Sequence, residues 1–313
     1  MSFIVGAYAS AAADDAGDHL RQVAKLPGFG GLELPFLDDL GRDRSAIATL
    51  DPAWDIVLTT ITATVLRNRR QPGFGLASPS EPGRRSAIAA ARDLAALVRA
   101  IDERAGRAAV IAVELHSAPA GTGNAAAFAA SLEELAELDW GAALVTVEHC
   151  DSAAGAPPHQ KGYLTLDDEL EAVRSAGERF GLTINWGRSA IEGRSAATPV
   201  EHVARLRQAG RLAGVMFSGV TDRESAFGAP WLDAHLPPNA HDPRFADLEP
   251  LTEATSLLGP AEIAATLHAA GGVQRFTGLK IALRPADLDI GSRIDRIRAA
   301  LDLLGRLSSE PHP

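Results

Sequence analysis

The chain has a single cysteine, Cys150, among 313 residues. No intramolecular disulfide can form, which fits a reducing compartment and excludes the disulfide-stapled secreted class. Also missing is any run of about 18 apolar residues, the length a membrane-spanning helix needs. The opening segment MSFIVGAYAS has neither the basic stretch nor the longer apolar run of a secretory leader. A cytoplasmic protein with no membrane partner is the expectation. Basic residues are outnumbered, 30 Lys and Arg against 40 Asp and Glu, for a net charge of −10. Such a surface repels phosphate backbones, so nucleic acid is a disfavoured partner. No Gly-x-Gly-x-x-Gly turn follows the first strand-like run. That argues against a dinucleotide-binding open sheet, and no nucleotide cofactor is expected.

What the chain does have is an alternation of short apolar runs and helical stripes. The runs are Phe3 to Ala9, Gly31 to Phe36, Asp55 to Thr62, Ala109 to His116, Ala143 to Cys150, Leu182 to Trp186, Gly214 to Val220 and Gly278 to Leu283. Each is rich in Val, Ile or Leu, as suits a parallel strand covered on both faces. Between them, Ile88, Ala91, Leu94, Leu97, Val98 and Ile101 repeat at three and four residues. Leu170, Val173, Gly177 and Phe180 do the same, as do Val200, Val203 and Leu206. The last stripe is Ile294, Ile297, Leu301, Leu304 and Leu307. Thr198-Pro199 and Gly259-Pro260 read as helix starts. Gly30-Gly31, Gly181, Gly214 and Gly271-Gly272 read as helix C-caps. Eight βα units predict a single (β/α)8 barrel over residues 1–313, with no domain boundary. The second helical segment, Arg44 to Leu50, is the weakest unit. A long loop, 221–258, follows the seventh strand and carries Trp231, His235, Pro237, Pro238, Asn239 and His241. Loops of that length are usually functional lids or disordered excursions; the aromatics and prolines suggest a packed one, and it lies on the face where barrels build their sites.

The ends of the strands carry unusual polar groups. Glu33 is flanked by leucines in the second strand, and a buried carboxylate costs several kcal/mol unless it is paired or ligating. The fourth strand ends Val-Glu-Leu-His, so Glu114 and His116 share a face. The fifth supplies Glu148, His149 and Asp151. The sixth supplies Asn185, Trp186 and then Arg188, the seventh Ser218, and the eighth Lys280. A plainer reading exists for several of these. Glu33 could pair with Lys280, His116 could be a hydrogen-bonded core group, His149 could point away from the barrel, and Arg188 could be an ion-pair partner. The convergence of ionisable groups at corresponding strand ends favours a site, since such groups tune one another as acid and base. After the third strand, Arg67, Arg69 and Arg70 beside Gly73 and Gly75 could hold an anion, although a solvated basic loop is the commoner outcome.

Three features resemble the xylose-isomerase-like barrel superfamily, which includes sugar isomerases and ketose 3-epimerases. Pro27-Gly28-Phe29-Gly30-Gly31-Leu32-Glu33-Leu34-Pro35 is similar to the second-strand signature, closed by a glutamate. Arg84-Arg85-Ser86-Ala87 is similar to the start of the helix before the fourth strand. Glu148 matches the first metal-binding glutamate of the epimerases. Phe74-Gly75-Leu76-Ala77-Ser78, Val147-Glu148-His149-Cys150-Asp151 and Asn185-Trp186-Gly187-Arg188 resemble a bacterial branch of these barrels. The resemblance implies a sugar or sugar derivative as substrate, a divalent ion (manganese, magnesium or zinc), and a tendency to form homo-oligomers. The chain departs from the pattern at three ligands. Asn185 stands near the expected aspartate of the sixth strand, Ser218 replaces a histidine on the seventh, and Lys280 replaces a glutamate on the eighth.

The functional expectation is a carbohydrate isomerase or epimerase. Glu148 would abstract a proton beside a carbonyl, with Glu33, His149 or His116 returning it. Lys280 or a metal would stabilise the enediolate. Glu114, His116, Asn185, Trp186, Arg188 and Ser218 would bind substrate, and Glu148 with Asp151 would hold the metal. The alternatives are a lyase or hydrolase on a modified sugar, and a non-catalytic sugar-binding barrel with a degenerate metal site.

Overall fold

The computed structural model describes residues 1–12, 14–36, 45–248 and 253–309, with no side-chain placement at 45 and 46. Eight strands, β1 (Phe3–Val5), β2 (Phe29–Pro35), β3 (Asp55–Thr59), β4 (Val110–Leu115), β5 (Leu144–His149), β6 (Phe180–Asn185), β7 (Leu212–Phe217) and β8 (Phe276–Leu279), run in that order around a closed barrel. The helices are α1 (Ala16–Val23), α2 (Ser45–Ala48), α3 (Ile61–Arg70), α4 (Glu81–Ala105), α5 (Ala125–Ala136), α6 (Leu166–Ala176), α7 (Trp186–Gly193), α8 (Thr198–Gln208), α9 (Pro260–Ala270) and α10 (Ile290–Ser309). This is the (β/α)8 architecture that the alternating runs predict. Among the described residues, no helix is long and apolar enough to cross a membrane.

Two compact units make up the chain: Met1–Leu32 with Ile184–Pro313, and Glu33–Thr183. In the second unit, β3 pairs parallel with β4, and β4 with β5. Ile56, Val57 and Leu58 of β3 are all buried, as are Val145 and Val147 of β5. The α4 stripe Ile88, Ala91, Leu94, Val98 and Ile101 is buried too. Burying each large aliphatic side chain contributes about 1.5–3 kcal/mol. Helix α4 ends at Gly106, whose φ of 67° is the left-handed conformation that suits glycine. Helix α6 starts where Thr165 Oγ1 accepts the Asp168 amide. It stops at Ala176, so Gly177 is its C-cap and Phe180 belongs to β6. The apolar repeat runs past the helix because the next buried strand begins four residues after its end.

In the first unit, β1 pairs parallel with β2 through residues 29–32 and with β8, which pairs with β7. Gly271 caps α9 with a φ of 62°. Gly30-Gly31, Gly181 and Gly214 are not caps; they lie inside strands. At Gly214 a Cβ would stand 2.3 Å from the Phe276 ring, so the strand glycine makes room for an aromatic on its neighbour. Thr198 is already helical, with Ala197 in the cap position. His19 of α1 is fully buried, its Nε2 3.0 Å from Ser10 Oγ. Burial, with the Arg293 charge adding to it, holds this imidazole below the ordinary histidine range.

Each observed strand stops one to four residues short of its predicted run. Residues 280–283, for example, are buried but lie beyond β8. Between β7 and α9 runs the long loop, tied by backbone bonds between Gly219 and Leu236 and between Asn239 and Leu258. Arg44, at the start of the weakest predicted helix, lies outside the described residues, as do 249–252 of the loop.

Candidate active site

Strand register explains the first contact. Glu114 of β4 is level with Thr146 of β5, and Leu115 with Val147. One step on, His116 comes level with Glu148. Its Nε2 lies 2.9 Å from Glu148 Oε2, and both side chains are sealed from solvent. The other ring nitrogen, Nδ1, lies 2.9 Å from the Thr60 hydroxyl. Thr60 has one proton and donates it to the Glu114 carbonyl oxygen at 3.0 Å. Thr60 therefore accepts from His116 Nδ1–H. Nε2 can then meet Glu148 only if a proton lies between them, as imidazolium and carboxylate or as imidazole and carboxylic acid. A proton is thus stored at the strand ends, in a dry environment.

Glu33 of β2, Glu114 and Glu148 are all completely buried. Each offers one carboxylate oxygen, and the three atoms lie within 4.8 Å of one another. Three carboxylates this close cannot all carry charge without a cation or a shared proton. The donor set is all hard oxygen, which suits magnesium or manganese. A divalent ion fits here, on strands 2, 4 and 5. The epimerase pattern that the sequence resembles shares the fifth-strand glutamate, Glu148, but takes its other ligands from strands 6, 7 and 8.

Asp151 is outside this trio. Its buried carboxylate accepts the backbone amides of Gln160 at 2.7 Å, Lys161 at 3.0 Å and Gly162 at 3.3 Å, closing the loop after β5. His149 neighbours Glu148 in sequence, so its side chain takes the opposite face. Its Nδ1 lies 2.7 Å from Glu169 Oε2 of α6, and Ser117 Oγ donates to the other Glu169 oxygen at 2.5 Å. Sequence reasoning did not find Thr60, Ser117 or Glu169. Thr60 is a common residue type in a loop, and Glu169 is hidden in the acidic first turn of α6.

The remaining predicted residues belong to the other unit. Asn185 Oδ1 accepts the Arg188 amide at the start of α7. Arg188, 1% exposed, donates from Nε to Asp233 in the long loop at 3.1 Å. Asp233 Oδ1 lies 3.3 Å from His235 Nδ1, and Ser218 Oγ lies 2.7 Å from that same nitrogen. Trp186 is fully buried, and its indole nitrogen has no hydrogen-bond partner among the described residues. The buried Lys280 donates to the Tyr8 hydroxyl at 3.3 Å and lies 5.8 Å from its ring centre. The long loop thus supplies the partners of both Arg188 and Ser218.

Arg67 is in the last turn of α3, its guanidinium 5.2 Å from the centre of the Phe74 ring. It lines a recess shared with Phe36, Thr60, Leu76, Leu115 and His116. Arg69 and Arg70 are exposed.

Known proteins share this arrangement of elements. A D-psicose 3-epimerase from Clostridium cellulolyticum H10, solved with D-tagatose, superposes with a TM-score of 0.60 at 16% identity, over 98% of this chain and 99% of its own. A putative xylose isomerase from Rhodospirillum rubrum gives 0.66 at 14% identity, over 99% of each. At these identities the likeness establishes the fold alone, a (β/α)8 barrel. In sequence, the uncharacterized protein STM3670 of Salmonella typhimurium is 36% identical over 317 residues, 96% of each chain. Residues 4–296 match the model described as a domain of unknown function, DUF4862, and the chain belongs to that family.

Proposed function

We propose that this protein, acting as one barrel domain, is a carbohydrate isomerase or epimerase that moves a proton at the carbon beside a carbonyl. The observation that carries the proposal is the buried His116–Glu148 contact of 2.9 Å, next to the carboxylates of Glu33 and Glu114. Glu148 is the group that takes the substrate proton. His116, held by Thr60 through Nδ1, exchanges a proton with Glu148 and fixes the orientation of its carboxylate. Glu33, Glu114 and Glu148 would hold a divalent ion, which when bound supplies positive charge to a developing enediolate. Burial keeps bulk water from competing for the proton and strengthens each charge interaction. His149, turned toward Glu169, serves to anchor the end of β5. The fold likeness to epimerases and isomerases supports the substrate class.

The test is solvent-deuterium incorporation into a panel of ketopentoses and ketohexoses, followed by NMR in the presence of manganese. The wild type should place deuterium on the carbon beside the carbonyl. Glu148→Gln should slow this by about 10²–10⁴-fold, the range for loss of a general base, with its circular dichroism unchanged. Exchange at the wild-type rate in Glu148→Gln would overturn the proposal.

A further inference from the structure

The recess beside His116 has features that a polyhydroxylated sugar does not explain. We propose that it is a specificity pocket for a small apolar group of an anionic substrate, with Arg67 meeting the anion. This rests on the reading of His116 and Glu148 as the reacting pair.

Thr60 and His116 both line the recess, so a group bound in it lies beside the side chain that touches Glu148. Apart from Thr64 and the Gly75 backbone, its other walls are apolar: Phe36, Phe74, Leu76, Leu115, one alanine of α3 and three of α4. Sugar hydroxyls placed against such walls would lose their water without gaining partners. A methyl or methylene group would not. The space open to a small molecule is about 30 Å³, roughly twice what one water needs, which sets the size at about two carbon atoms. Arg67 is half-buried, and its stacking on Phe74 fixes the guanidinium beside the lining. A carboxylate or phosphate attached to the apolar group is the chemistry a guanidinium recognises.

The recess is held open by its own backbone. The Asn68 side chain donates to the Phe74 carbonyl. The Ala77 amide donates to Ala118 O at 2.8 Å, and Ser131 Oγ donates to Leu76 O at 2.6 Å. Gly75 has a φ of 156°, and a Cβ there would fall 2.1 Å from Ala118 O. At Gly83 of α4 a Cβ would fall 1.9 Å from Gly73 O, so helix and loop meet backbone to backbone. A loop pinned at this many points cannot collapse to fill the space, and a preformed pocket binds without an ordering cost.

Saturation-transfer NMR and calorimetry with sodium butyrate, 4-hydroxybutyrate and 1-butanol test the pocket without requiring turnover. Butyrate should bind wild type and Glu148→Gln alike. It should bind at least fivefold more weakly to Arg67→Gln, and not measurably to Ala91→Leu or Ala90→Leu. Ala90 is half-buried, so the second variant tolerates the larger side chain should Ala91→Leu fail to fold. 4-Hydroxybutyrate, with a hydroxyl on the buried end, and uncharged butanol should each bind at least fivefold more weakly than butyrate. Absence of butyrate binding to wild type would overturn the inference, as would equal binding of 4-hydroxybutyrate, or unchanged binding in both alanine variants. The two proposals fail separately. Lost exchange in Glu148→Gln without butyrate binding removes only the pocket, whereas retained exchange with butyrate binding removes only the proton-transfer reading.

Discussion

Replacing Glu114 by glutamine should change stability in opposite directions with and without metal. The three ligating oxygens of Glu33, Glu114 and Glu148 lie within 4.8 Å of one another. At an effective dielectric of about 20, two unit charges at that distance repel by about 3.5 kcal/mol. Full ionisation would impose three such repulsions, which a neighbouring positive charge or a bound proton relieves only in part when no metal is present. Glutamine keeps the shape and removes one charge. Imperfect hydrogen bonding of its buried amide offsets some of the gain. The net expectation is stabilisation by about 2 kcal/mol in chelator, or about 3–4 °C in Tm for a chain this long. With saturating manganese the order reverses. Wild type gains the binding free energy, about 2.7 kcal/mol at a hundredfold excess over Kd, and the variant, lacking one of three ligands, gains much less. Differential scanning calorimetry on both proteins, with chelator and with manganese, reads the effect. A Glu114→Gln shift of the same sign and size in both conditions would refute the reasoning.

Further outcomes follow from individual side chains. Asp151→Ala should leave metal content unchanged, because its carboxylate serves three backbone amides. It should destabilise the protein by about 3 kcal/mol, from loss of charge-assisted bonds, and expose the 152–162 loop to limited proteolysis; loss of metal would assign Asp151 to the site. His19 is held below its ordinary value by burial. The unfolded chain therefore binds its proton first, and stability falls as pH drops below about 6.5 toward the folded value. The slope of Tm against pH over that window should flatten in His19→Gln; an unchanged slope would show that other groups govern it.

The barrel was legible because buried parallel strands leave unbroken Val, Ile and Leu runs, and α4 and α10 leave clean stripes. Strand ends were read too long for a physical reason. Residues such as Ile281 and Leu283 are buried in the connections beyond β8, so hydrophobicity continues after the ladder stops. The trio of glutamates was half legible. Each stood out as a carboxylate among apolar neighbours, and Glu114 and His116 shared a face by parity. Which of them converge depends on how β2, β4 and β5 are staggered, and a one-dimensional pattern does not contain that stagger. Asp151 carried the same apparent signal as Glu148, yet backbone amides of a loop ten residues on take its carboxylate. His149 differed from Glu148 by one position, enough to turn it toward Glu169.

Divalent metal content of the purified protein, measured by elemental analysis before and after chelation, is the sharpest single check. Wild type should carry close to one manganese or magnesium per chain after incubation with the ion. Glu114→Gln combined with Glu33→Gln should carry almost none and show no thermal shift on adding manganese. A wild type that takes up no metal, and whose Tm is the same with chelator and with manganese, would contradict the carboxylate trio as a metal centre.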